Sequence, residues 1–146
     1  MIKKKQTGIT LVELMIVVAI LAMIASFAYP SYMRYVVNSK RSAATSALLQ
    51  IADRQQQFFM DNKSYANDLT DLGFAANPWV IADDGTASAA GNSESVYSIS
   101  LSNVAATTYT ITAAPLHGQL RDSRCGSVTL DQAGARGAST GSDDCW

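Results

Sequence analysis

Polar and apolar positions divide this chain into three regimes. From Ile9 to Tyr29 the side chains are apolar, apart from Thr10, Glu13, Ser26 and the tyrosine hydroxyl. A helix of that length reaches about 32 Å, enough for a bilayer core of about 30 Å. Pro30 follows. So far into a helix it removes one backbone bond and clashes a turn back, which either ends the helix or kinks it. Ser31 to Asn62 then contains no Gly and no further Pro. Ala44, Ala47, Leu48, Ile51, Phe58 and Phe59 recur on one helical face, with Ser42, Ser46, Gln50, Asp53 and Gln57 opposite and Leu49 the exception. Lys40 and Arg41 share the apolar side by angle but precede the stripe. The pattern predicts one helix of roughly fifty residues, bent at Pro30, with an apolar half (9–30) and an amphipathic half (31–62).

Beyond Asn62 the period changes. Asn67-Asp68-Leu69 to Gly73-Phe74 reads as a single capped helical turn closed by glycine. Asp83-Asp84-Gly85 signals a turn, and residues 85–95 are almost wholly Gly, Ala, Ser, Thr and Asn. Residues 63–95 are therefore expected to form a connecting surface loop. From Val96 the period is two: Tyr97, Ile99 and Leu101 alternate with serines, and Tyr109, Ile111 and Ala113 alternate with threonines. The two runs predict an antiparallel hairpin stopped by Pro115 and Gly118. Ser127-Val128-Thr129-Leu130 is a third run, leading into a turn at Asp131-Gln132-Ala133-Gly134. A half-buried sheet needs a lid, and the striped helix is the available one. The expected class is α+β, a long N-terminal helix packed on a small antiparallel sheet, with residues 96–146 holding the sheet and a C-terminal loop bounded by the two cysteines.

Glu13 does not belong in a plain membrane span, since an acid at mid-bilayer costs about 2.5–3.5 kcal/mol even on the lenient insertion scale. A secretory signal peptide would share the basic start (Lys3, Lys4, Lys5) and the small residues of 22–28. Its apolar region, however, would be shorter, about 7–15 residues. A plain anchor fits the length and leaves Glu13 unexplained.

Gly8-Ile9-Thr10-Leu11-Val12-Glu13-Leu14, after a short basic leader, resembles the start of the type IV prepilins. That resemblance implies a leader of residues 1–8, cut between Gly8 and Ile9 by a prepilin peptidase and followed by N-methylation of Ile9. Glu13 becomes the fifth residue of the processed chain, and its implied role is to pair with the N-terminal amine of a neighbouring subunit during assembly. Pairing makes two charges tolerable in an apolar bundle that would not tolerate either alone. Most family members begin the processed chain with Phe; Ile9 fits a minor or divergent subunit at least as well as a major one. Cys125-Gly126-Ser127-Val128, Gly134-Ala135-Arg136-Gly137 and the Asp144-Cys145-Trp146 end resemble the C-terminal disulfide-bounded region of PilE-like type IV pilins, as do Gln55-Gln56-Gln57-Phe58-Phe59 and Ser64-Tyr65. Residues 80–95 contribute nothing to the likeness. Implied partners are other pilin subunits, the peptidase, the inner-membrane assembly machinery, and the membrane itself before assembly. Implied roles are pilus biogenesis and thereby adhesion, twitching motility or DNA uptake. A DNA-binding competence pilin and a pseudopilin of a type II secretion system are the alternatives.

Charge sharpens the picture. The 146 residues carry a net −1. Loss of residues 1–8 removes three lysines and no acids, leaving 8 basic against 12 acidic residues, or −4. A globally basic nucleic-acid binder is not indicated. The lysines before the span predict a cytoplasmic N-terminus with the remainder outside; the resemblance implies that this is the inner membrane before assembly and a cell-surface pilus after it. Cys125 and Cys145 then lie in an oxidising compartment where a disulfide is the default, worth about 3 kcal/mol for a loop of about twenty residues. A metal site lacks nearby histidines and further cysteines. The acidic pairs Asp83-Asp84 and Asp143-Asp144 lack the alternating spacing of a calcium loop and read as solvated turns. Arg121, Arg124 and Arg136, with His117, make a weak phosphate-neutralising footprint among Asp122, Asp131, Asp143 and Asp144, with Trp146 the sole local stacking residue. With one histidine and no nucleophile or phosphate-loop motif, the sequence suggests neither an enzyme nor a cofactor protein.

Overall fold

A computed structural model describes residues 8–88 and 92–146. The leader residues 1–7, and residues 89–91 of the expected loop, lie outside the described part. The chain forms two compact units, residues 1–36 and 37–146.

A single helix, α1, runs from Leu11 to Asn62, 52 residues. It continues through Pro30, so the alternative in which proline ends the helix is excluded. In the first unit every described residue up to Tyr32 is exposed. The helix is long and apolar enough to cross a membrane. In the second unit the apolar stripe is buried: Ala44, Leu48 and Ile51 are fully covered, and Ala47 nearly so. Phe58 packs half-buried against the same core. Ser42, Ser46, Gln50, Asp53 and Gln57, on the other face, are exposed, as their polarity requires.

The sheet has five antiparallel strands in sequential order: β1 (Trp79–Ala82), β2 (Ser95–Ser102), β3 (Thr110–Pro115), β4 (Val128–Asp131) and β5 (Arg136–Ala138). Register aligns the apolar alternates into rows across one face. Trp79 faces Ile99, Ile99 faces Ala113, and Ala113 faces Val128; one step along, Leu101, Ile111 and Leu130 align. A sheet residue one step out of register would present serine or threonine to the core, so this pairing is strongly specified. These rows and the α1 stripe form one buried cluster.

Part of the expected surface loop is core instead. Residues 79–82 form the edge strand β1, and Trp79, Val80 and Ile81 are buried. Ala66, Leu69, Leu72 and Phe74 are also buried. The predicted single turn is the 3-10 turn Thr70–Leu72, closed by Gly73 at φ 80°. Asp68 organises it by accepting from Thr70 N and Thr70 Oγ1, both at 2.8 Å. Those bonds hold the Asp68 carboxyl below its usual range. The Asp83-Asp84 pair does form a turn, in which Asp84 accepts from Thr86 N and Oγ1.

Candidate functional site

At the N-terminal end, Thr10 precedes the first helical residue and its Oγ1 accepts from Glu13 N at 3.2 Å. This is half of a capping box, in which Ser or Thr at the cap and Glu three residues later serve the free N–H groups of the first turn. Glu13 thus has a local role that the sequence signal Thr10-x-x-Glu13 already encodes, as an acid at the positive end of the helix dipole. Ile9, Leu11, Leu14 and Met15 around it are all exposed.

The second feature is a buried polar node under the C-terminal region. Arg41 is 7% exposed and Asp122 4%. Arg41 Nε and Nη2 donate to Asp122 Oδ2 and Oδ1, each at 2.8 Å, a bidentate pair across 81 positions of sequence. Asp122 Oδ1 also accepts from Cys125 N at 3.2 Å. Next to it, Gln119 Nε2 donates to Val37 O and to Tyr97 Oη, both at 3.0 Å. Gln119 Oε1 has no partner among the described residues. Burial raises the Tyr97 hydroxyl above its ordinary pKa. The node ties α1, β2 and the 3-10 turn His117–Arg121 to the start of the cysteine loop. Neither Arg41 nor Asp122 was legible as buried. Reading Asp122 as a surface acid that offsets the arginines is corrected, because its carboxylate faces Arg41 in the interior.

Cys125 and Cys145 form a disulfide, Cα–Cα 5.6 Å, with both cysteines buried. Gly126 follows at φ 62°, and a Cβ there would lie 2.3 Å from Ser139 Oγ, so a larger residue would be strained and would displace the Ser139 hydroxyl from its bonds to Ser127 N and Cys125 O. The three arginines separate by environment. Arg124 Nη2 pairs with Asp144 Oδ2 in an exposed bridge. Arg136 lies over the Trp146 ring, 5.2 Å from its centroid, and Trp146 Nε1 donates to Gly137 O. Arg121 is exposed at the end of its 3-10 turn and has no ion pair among the described residues. Arg124 and Arg136 therefore share the surface around the C-terminal residues, and Arg121 stands on a different element. No group of three or more His, Cys, Asp or Glu among the described residues is placed to hold a metal ion.

Residues 3–29 match the prokaryotic N-terminal methylation motif, and residues 30–129 match the family model described as type IV minor pilin ComP, DNA uptake sequence receptor. The chain belongs to that ComP family of type IV minor pilins. It is therefore a structural pilin rather than a member of an enzyme family. Among individual relatives, the ComP-family chain is 37% identical over 71 residues to the type IV major pilin protein PilA of Myxococcus xanthus, covering 49% of this chain and 32% of that one. It is 36% identical over 76 residues to the fimbrial protein EcpC of Eikenella corrodens, covering 52% and 50% respectively. The alignments thus span about a third to a half of these relatives. Among solved structures, a type IV pilin from Shewanella oneidensis has TM-score 0.49 at 18% identity, covering 75% of this chain and 97% of the other.

Proposed function

We propose that this ComP-family pilin is held in the inner membrane by its apolar helix with the N-terminus in the cytoplasm. Prepilin peptidase cuts it after Gly8 and methylates Ile9, and the inner-membrane machinery assembles it into a pilus with other pilins. One observation carries this reading: a methylation motif over residues 3–29 is continuous with a minor-pilin match over residues 30–129. Exposure of the first unit's apolar residues up to Tyr32 supports it, because a surface of that size requires cover from lipid or sibling helices. Glu13 pairs with the Ile9 amine of the next subunit, and Pro30 is the point where the helix, lacking one backbone bond, loosens during assembly. Mass spectrometry of sheared pili tests all of the processing at once: the chain should begin at Ile9 with one added methyl and carry the disulfide. Glu13→Ala should leave the cut at Gly8 intact and lower incorporation. Normal incorporation would remove Glu13 from the assembly role.

The family description favours a second role alongside the first, DNA reception at the pilus surface. Arg121, Arg124 and Arg136 are the candidate phosphate contacts, and the burial of Asp122 removes one of the charges set against them. Removing one phosphate-neutralising arginine should reduce the slope of log affinity against log salt by about 0.9. The Arg121→Gln/Arg124→Gln/Arg136→Gln variant of the full chain in detergent should therefore bind duplex DNA more weakly and with less salt dependence. Unchanged affinity would move the DNA site elsewhere.

A further inference from the structure

Three tyrosines stand where the apolar run gives out. Tyr29, Tyr32 and Tyr35 lie on the first unit's stretch of α1, each between 64% and 72% exposed. No tyrosine or tryptophan occurs from Ile9 to Ala28, where the one aromatic is Phe27, which has no hydroxyl. Arg34, also exposed, is the first charged side chain after Glu13. Polarity therefore rises in steps along the helix, from hydrocarbon to rings with one polar tip, and then to a cation. A tyrosine carries an apolar body and a hydroxyl that needs a partner, and it collects where hydrocarbon meets water.

Spacing shows which cover suits these rings. At i, i+3 and i+6 the tyrosines fan over about 120° of the helix surface and span about 9 Å along its axis. Arg34 points to the other side, about 100–160° from each of them. A docked helix or groove covers one stripe and would leave part of this set bare. A headgroup layer surrounds the helix at a single level and is about 5–8 Å deep on each face of a bilayer. It can take the rings and the guanidinium together, with hydroxyls and phosphates meeting at the same height.

We propose that Tyr29, Tyr32 and Tyr35 seat in the headgroup layer of a phospholipid bilayer and fix the depth of α1, setting Glu13 close to the opposite boundary. With Tyr29 at one edge of a hydrocarbon core of about 30 Å, Ile20 lies about 14 Å in, near the centre. Glu13 lies about 24 Å in, so about 6 Å from the far edge. A carboxylate there avoids mid-bilayer, where it costs most, and can reach toward water. The anchor thereby makes the acid affordable before any subunit pairs with it. It rests on reading the apolar helix as a membrane span and adds what sets the depth of that span.

Both native cysteines are bonded, so a maleimide nitroxide reports only introduced thiols. Full-length Leu14→Cys, Ile20→Cys and Met33→Cys chains are labelled and reconstituted at low protein density in vesicles of phosphatidylethanolamine and phosphatidylglycerol. Depth is read from collisions with oxygen, which dissolves in hydrocarbon, against those with a water-soluble nickel chelate. Ile20 should be deepest, with Leu14 and Met33 near the two boundaries. Replacing all three tyrosines by leucine removes no core contact, since all are exposed, and extends the apolar run to Met33. The helix should then shift by roughly 3 Å, bringing Met33 deeper and Leu14 nearer to water. Replacing them by tryptophan, which keeps a ring with a polar tip, should restore the original depths. Unchanged depths in the leucine variant would overturn the proposal and leave the span standing. A shift seen only at high protein density would give the tyrosines to a neighbouring helix and also overturn it. Equal nickel access at all three positions of the otherwise unaltered chain would remove the span itself, and the anchor with it.

Discussion

The two halves of α1 obey opposite rules. From Leu11 to Tyr32 every side chain is exposed, including Leu14, Val17, Ile20 and Ile24. From Arg41 to Gln55 the same helix buries Ala44, Ala47, Leu48 and Ile51, and even Arg41 and Gln55 are covered. The first half is apolar on nearly every face, Glu13 and Ser26 apart, and among the described residues nothing covers it. The second has a stripe, and the chain supplies the sheet that covers it. A helix that is hydrophobic on every face must be covered by lipid or by other helices, whereas a striped one needs a single partner surface. The buried cluster lies wholly beyond Val37, so the head's stability should depend on residues there far more than on the N-terminal half.

Breaking the buried node should give the largest effect. Arg41→Ala leaves Asp122 as an uncompensated buried charge, and removing one partner of such a pair costs about 3–5 kcal/mol. Replacing both, as Arg41→Met with Asp122→Leu, should recover most of that loss in thermal or urea melts of the full chain in detergent. If the single variant melts normally, the ion pair is not a buried structural contact. Next comes a direct comparison of the halves. Ile51→Ala should destabilise the head by about 2–5 kcal/mol, while Ile20→Ala should stay within about 0.5 kcal/mol in the same melts. Equal effects would mean that the two halves fold as a single unit.

Gln55→Ala should have a smaller effect. Gln55 Nε2 donates to Ala66 O, and Gln55 Oε1 accepts from Ala66 N, both at 2.9 Å, so one side chain satisfies both backbone groups of a buried residue. Its loss strands those groups at about 1–3 kcal/mol. Hydrogen exchange at Ala66 N–H should accelerate more than that of residues in β2. If both accelerate together, the bond contributes to global rather than local stability.

These cases mark what the sequence could and could not disclose. The Ala44–Ile51 stripe and the β2–β3 hairpin were legible because burial on one side leaves a period, 3.6 in the helix and two in the strands. The strand β1 was not. Trp79, Val80 and Ile81 are all buried, so no alternation survives, and the short run sits between Pro78 and the Asp83-Asp84-Gly85 turn. The strand β5 is three residues long and contains Gly137. Arg41 shares the apolar side by angle, but the burial of Arg41 and Gln55 was not legible, because polarity alone cannot show that a partner waits 81 positions away, or that a backbone segment will fold back onto an amide. The disulfide was expected from compartment and count. The capping signal at Thr10 is present in the sequence but is masked, because the same glutamate also fits an assembly role.

The smallest effect separates the tyrosines of the two halves. Tyr29, Tyr32 and Tyr35 are exposed, whereas Tyr109 is 2% exposed and packs edge-on to Tyr65 with ring centroids 4.7 Å apart. Burial, then the Tyr65 and Asp131 charges, push the Tyr109 hydroxyl from 10.0 up to about 12. A folded-state pKa above the unfolded one means that the native state keeps the proton while the unfolded chain has lost it. Stability from this group is therefore complete below about pH 10 and is lost as pH rises toward about 12. Tyr97, also raised by burial, acts in the same direction. The Tyr109→Phe variant cannot ionise there, so its melting temperature should decline less steeply than wild type across that window. Tyr32→Phe in the exposed half should leave the decline unchanged. A Tyr109→Phe profile that superimposes on wild type would place the alkaline loss elsewhere in the head, with Tyr97 the next residue to test by the same substitution.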